Sequence, residues 1–222
     1  LTARAHDEAP GGKLGQVSFP TSCAPAVQPT FERAVAMLHS FWYNLAEKTF
    51  SDILAQDPTC TVTAWGYAAI LMSNPLAGSG ASPDGAKKAQ AAIDNARRTP
   101  PKTQRERDYV EAVAAYYEDW ANRPERARQL ARSKAFEALA AKYPGDDEAQ
   151  IRNGLSNLAK CRDQLGYAFA SSVQLGHLRD AEEYPSLTWC VSRYVAIRID
   201  GKRHARWIAD VHHLRTAGQL VL

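Results

Sequence analysis

Residues 27–58 read VQPTFERAVAMLHSFWYNLAEKTFSDILAQDP, and the spacing of their apolar residues decides the fold class. Ala34, Leu38 and Phe41 recur at intervals of four and three, which sets them along one side of a helix of 3.6 residues per turn. After a break expected near Tyr43 and Asn44, Ala46, Phe50 and Ile53 repeat the interval. Asp57-Pro58 closes the second segment, because the proline ring pushes the preceding residue out of the α region. Two striped helices joined by a short connection bury their stripes best by folding back on each other. Ala34 and Ala46 are small enough to let two backbones approach, Met37 and Phe50 fill the space beside them, and proline ends the unit. The stretch therefore predicts a helical hairpin.

The same grammar continues downstream. A third helix is expected over about 60–73, with Trp65, Ala68 and Met72 on one stripe. Residues 74–85, NPLAGSGASPDG, are turn chemistry. Ser82 before Pro83 reads as an N-cap with proline at the first helical position, opening a helix over 84–97. Thr103 and Glu106 fit a capping box, each satisfying an orphaned amide of the first turn, and Tyr109, Val113, Tyr116 and Trp120 follow at helical spacing. A helix over 124–142 carries Phe136, Leu139 and Tyr143, and after Pro144-Gly145-Asp146-Asp147 the stripe resumes at Ile151, Leu155 and Leu158. Phe136 stands eight residues before Pro144 with Leu139 between them, as Phe50 stands before Pro58 with Ile53 between. Such recurrence marks a repeat architecture.

The expected fold is all-α: an α-α superhelix of stacked antiparallel hairpins over 25–160. An extended arm precedes it over 1–24, with LGQVSFP packing on the helices. An irregular segment follows over 161–222, where TWCVSRYVAIRID is β-branched and aromatic and helical spacing returns only near 203–215.

The segments VSFPTSCAPAVQPTFERAVAMLHSFWY, DPTCTVTAWGYAAILMSNPL, TQRERDYVEAVAAYYED and KYPGDDEAQ together resemble a group of bacterial tetratricopeptide-repeat proteins of unknown function. The resemblance covers about residues 15–150. It implies an α-α superhelix and an exported, periplasmic location, and it supplies no established activity. Residues 152–222 depart from that group's pattern, which has a His-rich HPGxxHYxIH-like stretch there.

Formal net charge is +3, so nucleic acid is not expected as a partner, and no apolar run is long enough for a membrane span. The residues leave open whether a cleaved leader precedes Leu1. Cys23, Cys60, Cys161 and Cys190 contain no CxxC, against a zinc knuckle or a thioredoxin-like motif. Cys23 and Cys60 lie ahead of the first and third helices, whose starts are neighbours if alternate helices run parallel. A disulfide between them and a pair of buried free thiols both remain open at this stage.

Hydrolase, zinc-protease and phosphate-loop motifs are absent, so no catalytic residue, cofactor or metal ligand is assigned. His39 has no second histidine in helical reach and reads as structural. His204 and His212 are eight apart, two turns along a helix and far for chelation. Glu106, Asp108, Glu111, Glu118 and Asp119 alternate with Arg105 and Arg107 and read as a solvated face. Gly78, Gly80 and Gly85 follow no strand and form no phosphate cradle. The aromatics are mainly core. Trp42, Tyr67 and Tyr116, with Arg33 and Arg107 for charge, are the candidates for a concave groove. The function expected is a repeat scaffold binding a protein or peptide partner in that groove. The alternative is an exported enzyme or metal-binding protein using histidine and acidic residues.

Overall fold

The computed structural model describes residues 14–73 and 80–156. The expectations placed on Gly78, Leu158, Cys161, Cys190, His204, His212 and the segment 161–222 lie outside the described residues. The chain divides into two units, Leu1–Lys142 and Tyr143–Leu222, and all regular structure among the described residues is helical.

The first unit holds six helices among its described residues: α1 (Gln28–His39), α2 (Tyr43–Gln56), α3 (Thr63–Leu71), α4 (Pro83–Arg98), α5 (Gln104–Tyr117) and α6 (Glu125–Lys142). They pair as hairpins, α1 on α2, α3 on α4 and α5 on α6. The odd-numbered helices also pack on one another, α1 on α3 and α3 on α5. The result is the expected all-α stack, with an odd-helix layer running through it.

Composition explains why α3 sits at the centre. TAWGYAAIL has no polar face, and a helix that is apolar all round has to be covered on every side. Its Trp65, Ala68 and Ile70 are buried. Gly66 is there for its missing side chain: a Cβ at this position would collide with the Phe50 ring. Phe50 thus reaches from α2 onto α3 and meets Phe31 of α1 edge-on at 5.9 Å. Ala34 and Ala46 are fully buried, as small residues at helix approaches should be.

The helix ends show how the turns are made. Ser82 accepts a hydrogen bond from the Gly85 amide at 3.0 Å with Pro83 at the first position of α4, and Thr103 and Glu106 form the capping box of α5. The break between α1 and α2 differs from expectation. Tyr43 and Asn44 are helical, and the turn is Ser40–Trp42. Phe41 takes a φ of 61° there, while the Trp42 amide returns to the Met37 carbonyl at 3.0 Å and the Phe41 amide to Leu38 at 3.4 Å. This is the six-to-one and five-to-two pairing of a left-handed helix stop. Glycine usually marks such a stop, and its absence hid the turn. Ser73 and Asp119 have φ values of 65° and 48°, each two residues past the end of α3 or α5. A left-handed residue thus follows all three odd helices at the same position, although α5 leaves its last turn differently, the Trp120 amide returning to the Tyr117 carbonyl at 3.1 Å.

In the second unit a helix occupies 147–156. The Ala149 amide donates to Asp146 Oδ1 at 3.3 Å, and Arg152 pairs with Glu148 one turn away at 2.7 Å.

Candidate functional site

The described part of the arm, residues 14–24, is not helical, so its backbone groups need partners outside a ladder. It finds them on the odd-helix layer. Phe19 is fully buried. Its ring stacks on Trp65 of α3 at 5.0 Å, and packs against Phe31 of α1 at 5.3 Å and edge-on against Tyr109 of α5 at 5.0 Å. The Arg105 guanidinium closes the cleft from above, 4.2 Å from the Phe19 ring centre, in cation–π geometry. Each odd helix thus gives one aromatic near its N-terminus to hold one aromatic of the arm.

Side chains on α1 and α5 and in the turns between helices recognise the arm's backbone. The Phe19 amide donates to Glu32 Oε1 at 3.0 Å, and Gln28 Nε2 donates to the Phe19 carbonyl at 2.8 Å. The Thr21 amide donates to Gln28 Oε1 at 3.1 Å, and Arg105 donates to the Pro20 carbonyl at 3.2 Å. Ser22 gives its amide to Glu106 Oε1 at 2.5 Å and its hydroxyl to Oε2 at 2.6 Å, while Lys102 reaches its carbonyl at 3.2 Å. The Ala24 amide donates to Asp57 Oδ2 at 2.8 Å.

Two carboxylates in this set are tuned by it. Burial pushes the Glu106 carboxyl upward, but hydrogen bonds from Ser22 and Thr103 outweigh burial and hold it below its ordinary range. The Ala24 amide and Thr59 lower Asp57 in the same sense. Glu106 corrects the expectation of a solvated acidic face: it is 1 % exposed, and it caps α5 while gripping the arm.

Cys23 and Cys60 form a disulfide, which joins the arm to the start of α3 and excludes free thiols at these positions. Cys60 is buried and Cys23 half-buried. Asp57 brings a carboxylate oxygen near both sulfurs, the ligand atoms all lying within 4.8 Å of one another. With the sulfurs bonded to each other, only the carboxylate is left to a cation.

The five groove candidates do not assemble. Arg33 is exposed on α1, and Trp42 is half-buried at the far end of that helix. Tyr67 is half-buried on α3 in the electrostatic neighbourhood of Lys88, whose ammonium binds Glu47 of α2 at 3.0 Å. Arg107 folds onto the carbonyls of Pro101 and Lys102 at 2.7 and 2.9 Å. Tyr116 is fully buried rather than groove-lining. Its hydroxyl accepts from the Ala81 amide at 3.0 Å and donates to Glu125 at 2.7 Å, and burial pushes it well above the ordinary tyrosine range. Among the described residues no hydrogen bond, ion pair or ring contact joins any two of the five.

Sequence reasoning missed Phe19, Gln28, Glu32 and Glu106 as a set. The available signal was a lone aromatic-proline pair in a segment otherwise poor in large apolar residues.

Among the described residues no helix is long and apolar enough to cross a membrane. No protein-family model, curated protein or solved structure matches the chain.

Proposed function

We propose that the chain is a helical-repeat scaffold of the tetratricopeptide kind that binds an extended protein or peptide segment along its odd-helix face. One observation carries this reading: Gln28, Glu32, Lys102, Arg105 and Glu106 grip the backbone of a non-helical segment, while Phe31, Trp65 and Tyr109 take its single aromatic side chain. Main-chain hydrogen bonds for affinity and a side-chain pocket for specificity is the division of labour by which sheet edges read extended peptides, and the odd-helix face offers the same two elements through its side chains. The Cys23–Cys60 bridge fits an oxidising compartment and supports export.

The test is an array of extended peptides presented to the full chain, oxidised and after treatment with dithiothreitol, carrying a photo-cross-linker at Arg33 on α1 or, separately, at Lys48 on α2. Both positions are exposed. Capture from position 33 and not from position 48 is the expected result. Equal capture from both, or none in either state, sinks the reading.

A further inference from the structure

The arm occupies the cleft as a ligand would, and it is tethered at one end by a bond that chemistry can open. We infer that residues 17–24 are a cis-bound occupant of a recognition cleft. In this inference, reduction of the Cys23–Cys60 disulfide frees the cleft for a partner segment of the same chemistry: extended, with an aromatic residue followed by proline. The inference rests on the scaffold reading above and adds the class of partner and the control of access.

The cleft has the parts of a peptide site. Phe31, Trp65 and Tyr109 surround a volume filled by one ring, and Arg105 lies across that ring. Proline next in sequence carries no amide N–H, and at Pro20 the cleft supplies only a donor, from Arg105 to the carbonyl. At Phe19, Thr21 and Ser22, where an amide exists, it supplies an acceptor: Glu32, Gln28 and Glu106 respectively. The acceptors thus fall where amides exist and none is wasted at the proline position, so an aromatic-proline pair loses no hydrogen bond in the cleft.

The tether decides who wins the cleft. While it is closed, Cys23 is pinned beside the start of α3 and the arm is held in the cleft; once it is open, the arm stays joined to α1 through residues 25–27 alone, and an added segment displaces it in competition. A dithiol opens it by thiol–disulfide exchange: its first thiolate attacks one sulfur and its second thiol closes a ring. Two electrons and two protons pass from the dithiol to Cys23 and Cys60, leaving two thiols and a cyclic disulfide. Cys23 is half-buried, not sealed, so attack there is open.

The experiment uses the full chain, oxidised and after treatment with dithiothreitol. Hydrogen exchange is read at the amides of Phe19, Thr21, Ser22 and Ala24 and at those of α3. In the same two states, binding is measured for a peptide of residues 16–22, QVSFPTS, and for its Phe19→Ala version. Reduction should speed exchange of the arm amides at least about tenfold with α3 unchanged. The reduced chain should bind QVSFPTS at least about tenfold more tightly than either the oxidised chain or the alanine peptide. If arm and α3 accelerate together, the bridge holds the whole fold and the inference is overturned. Unchanged arm exchange, or equal peptide binding in the two states, overturns it as well. Failure here with cross-linking still confined to Arg33 leaves the scaffold reading standing. An arm that opens while no array peptide is captured, in either state, sinks the scaffold reading instead.

Discussion

Glu106 carries two tasks that the chain separates by 84 positions, closing the first turn of α5 on Thr103 and receiving both donors of Ser22. The first task was legible, because a capping box is written in neighbouring residues. The second was not, because nothing local announces a partner in a distant segment. Its lowered pKa has a testable sign. Stability from this carboxylate is fully present above its unfolded value near 4.5 and is lost as pH falls through the lower folded value. Urea unfolding followed from neutral to acid pH should therefore show a shallower loss in Glu106→Gln than in wild type. Glu106→Ala, which strips acceptors from Ser22 and Thr103 together, should cost about 3 kcal/mol. Phe41 gives the opposite sign. It sits at a φ of 61° and is 49 % exposed, so it bears the left-handed penalty of a side chain with little burial in return. Phe41→Gly should raise stability by about 1 kcal/mol, read from thermal unfolding. A loss would mean that its edge contact with Tyr43 at 6.1 Å outweighs the strain.

At the scale of elements, each helix expected over the first 142 residues is present, because interval patterns, proline stops and hydroxyl caps are all local. Boundaries moved where a rule had an exception. Tyr43 and Asn44 looked like a break because the left-handed stop fell on phenylalanine and not glycine, and α3 is Thr63–Leu71 instead of about 60–73 because the chain turns through Cys60 to Val62 before it. The hairpin logic named Ala46 as the small residue at a helix approach, yet it overlooked Gly66, whose reason lies across the interface in Phe50. Both positions make predictions. Gly66→Ala puts a methyl into the Phe50 ring; although alanine favours a helix by about 1 kcal/mol over glycine, the collision should leave the variant less stable by about 1–2 kcal/mol. Ala46→Leu should lose about 1–3 kcal/mol by overpacking. Chemical unfolding of the two variants checks both, and a value near zero for Ala46→Leu would place that residue away from a crossing.

Across the whole first unit, what the sequence could not convey is which helices the arm packs on and through which residues. Its contacts reach residues 7 to 85 positions away, and one aromatic without periodic neighbours carries no pattern to read. The position of Cys23 and Cys60 ahead of parallel helices made their pairing one of two open readings, since alternate helices in a stack begin at one end; the bridge decides between them. That bridge closes a loop with a sequence separation of 37, which removes enough unfolded-state freedom to contribute about 4 kcal/mol. Two measurements should agree. Thiol titration of the denatured, unreduced chain should find at most two reactive cysteines of the four present; four would remove the bridge from the molecule. Cys60→Ser should lower the unfolding free energy by about 4 kcal/mol. The effect should appear mainly as a wider unfolded ensemble, so helix content measured by circular dichroism before the transition should stay at the wild-type level. If helix content falls instead, the bridge organises α3 itself, and the arm is a structural strap whose removal the stack does not survive.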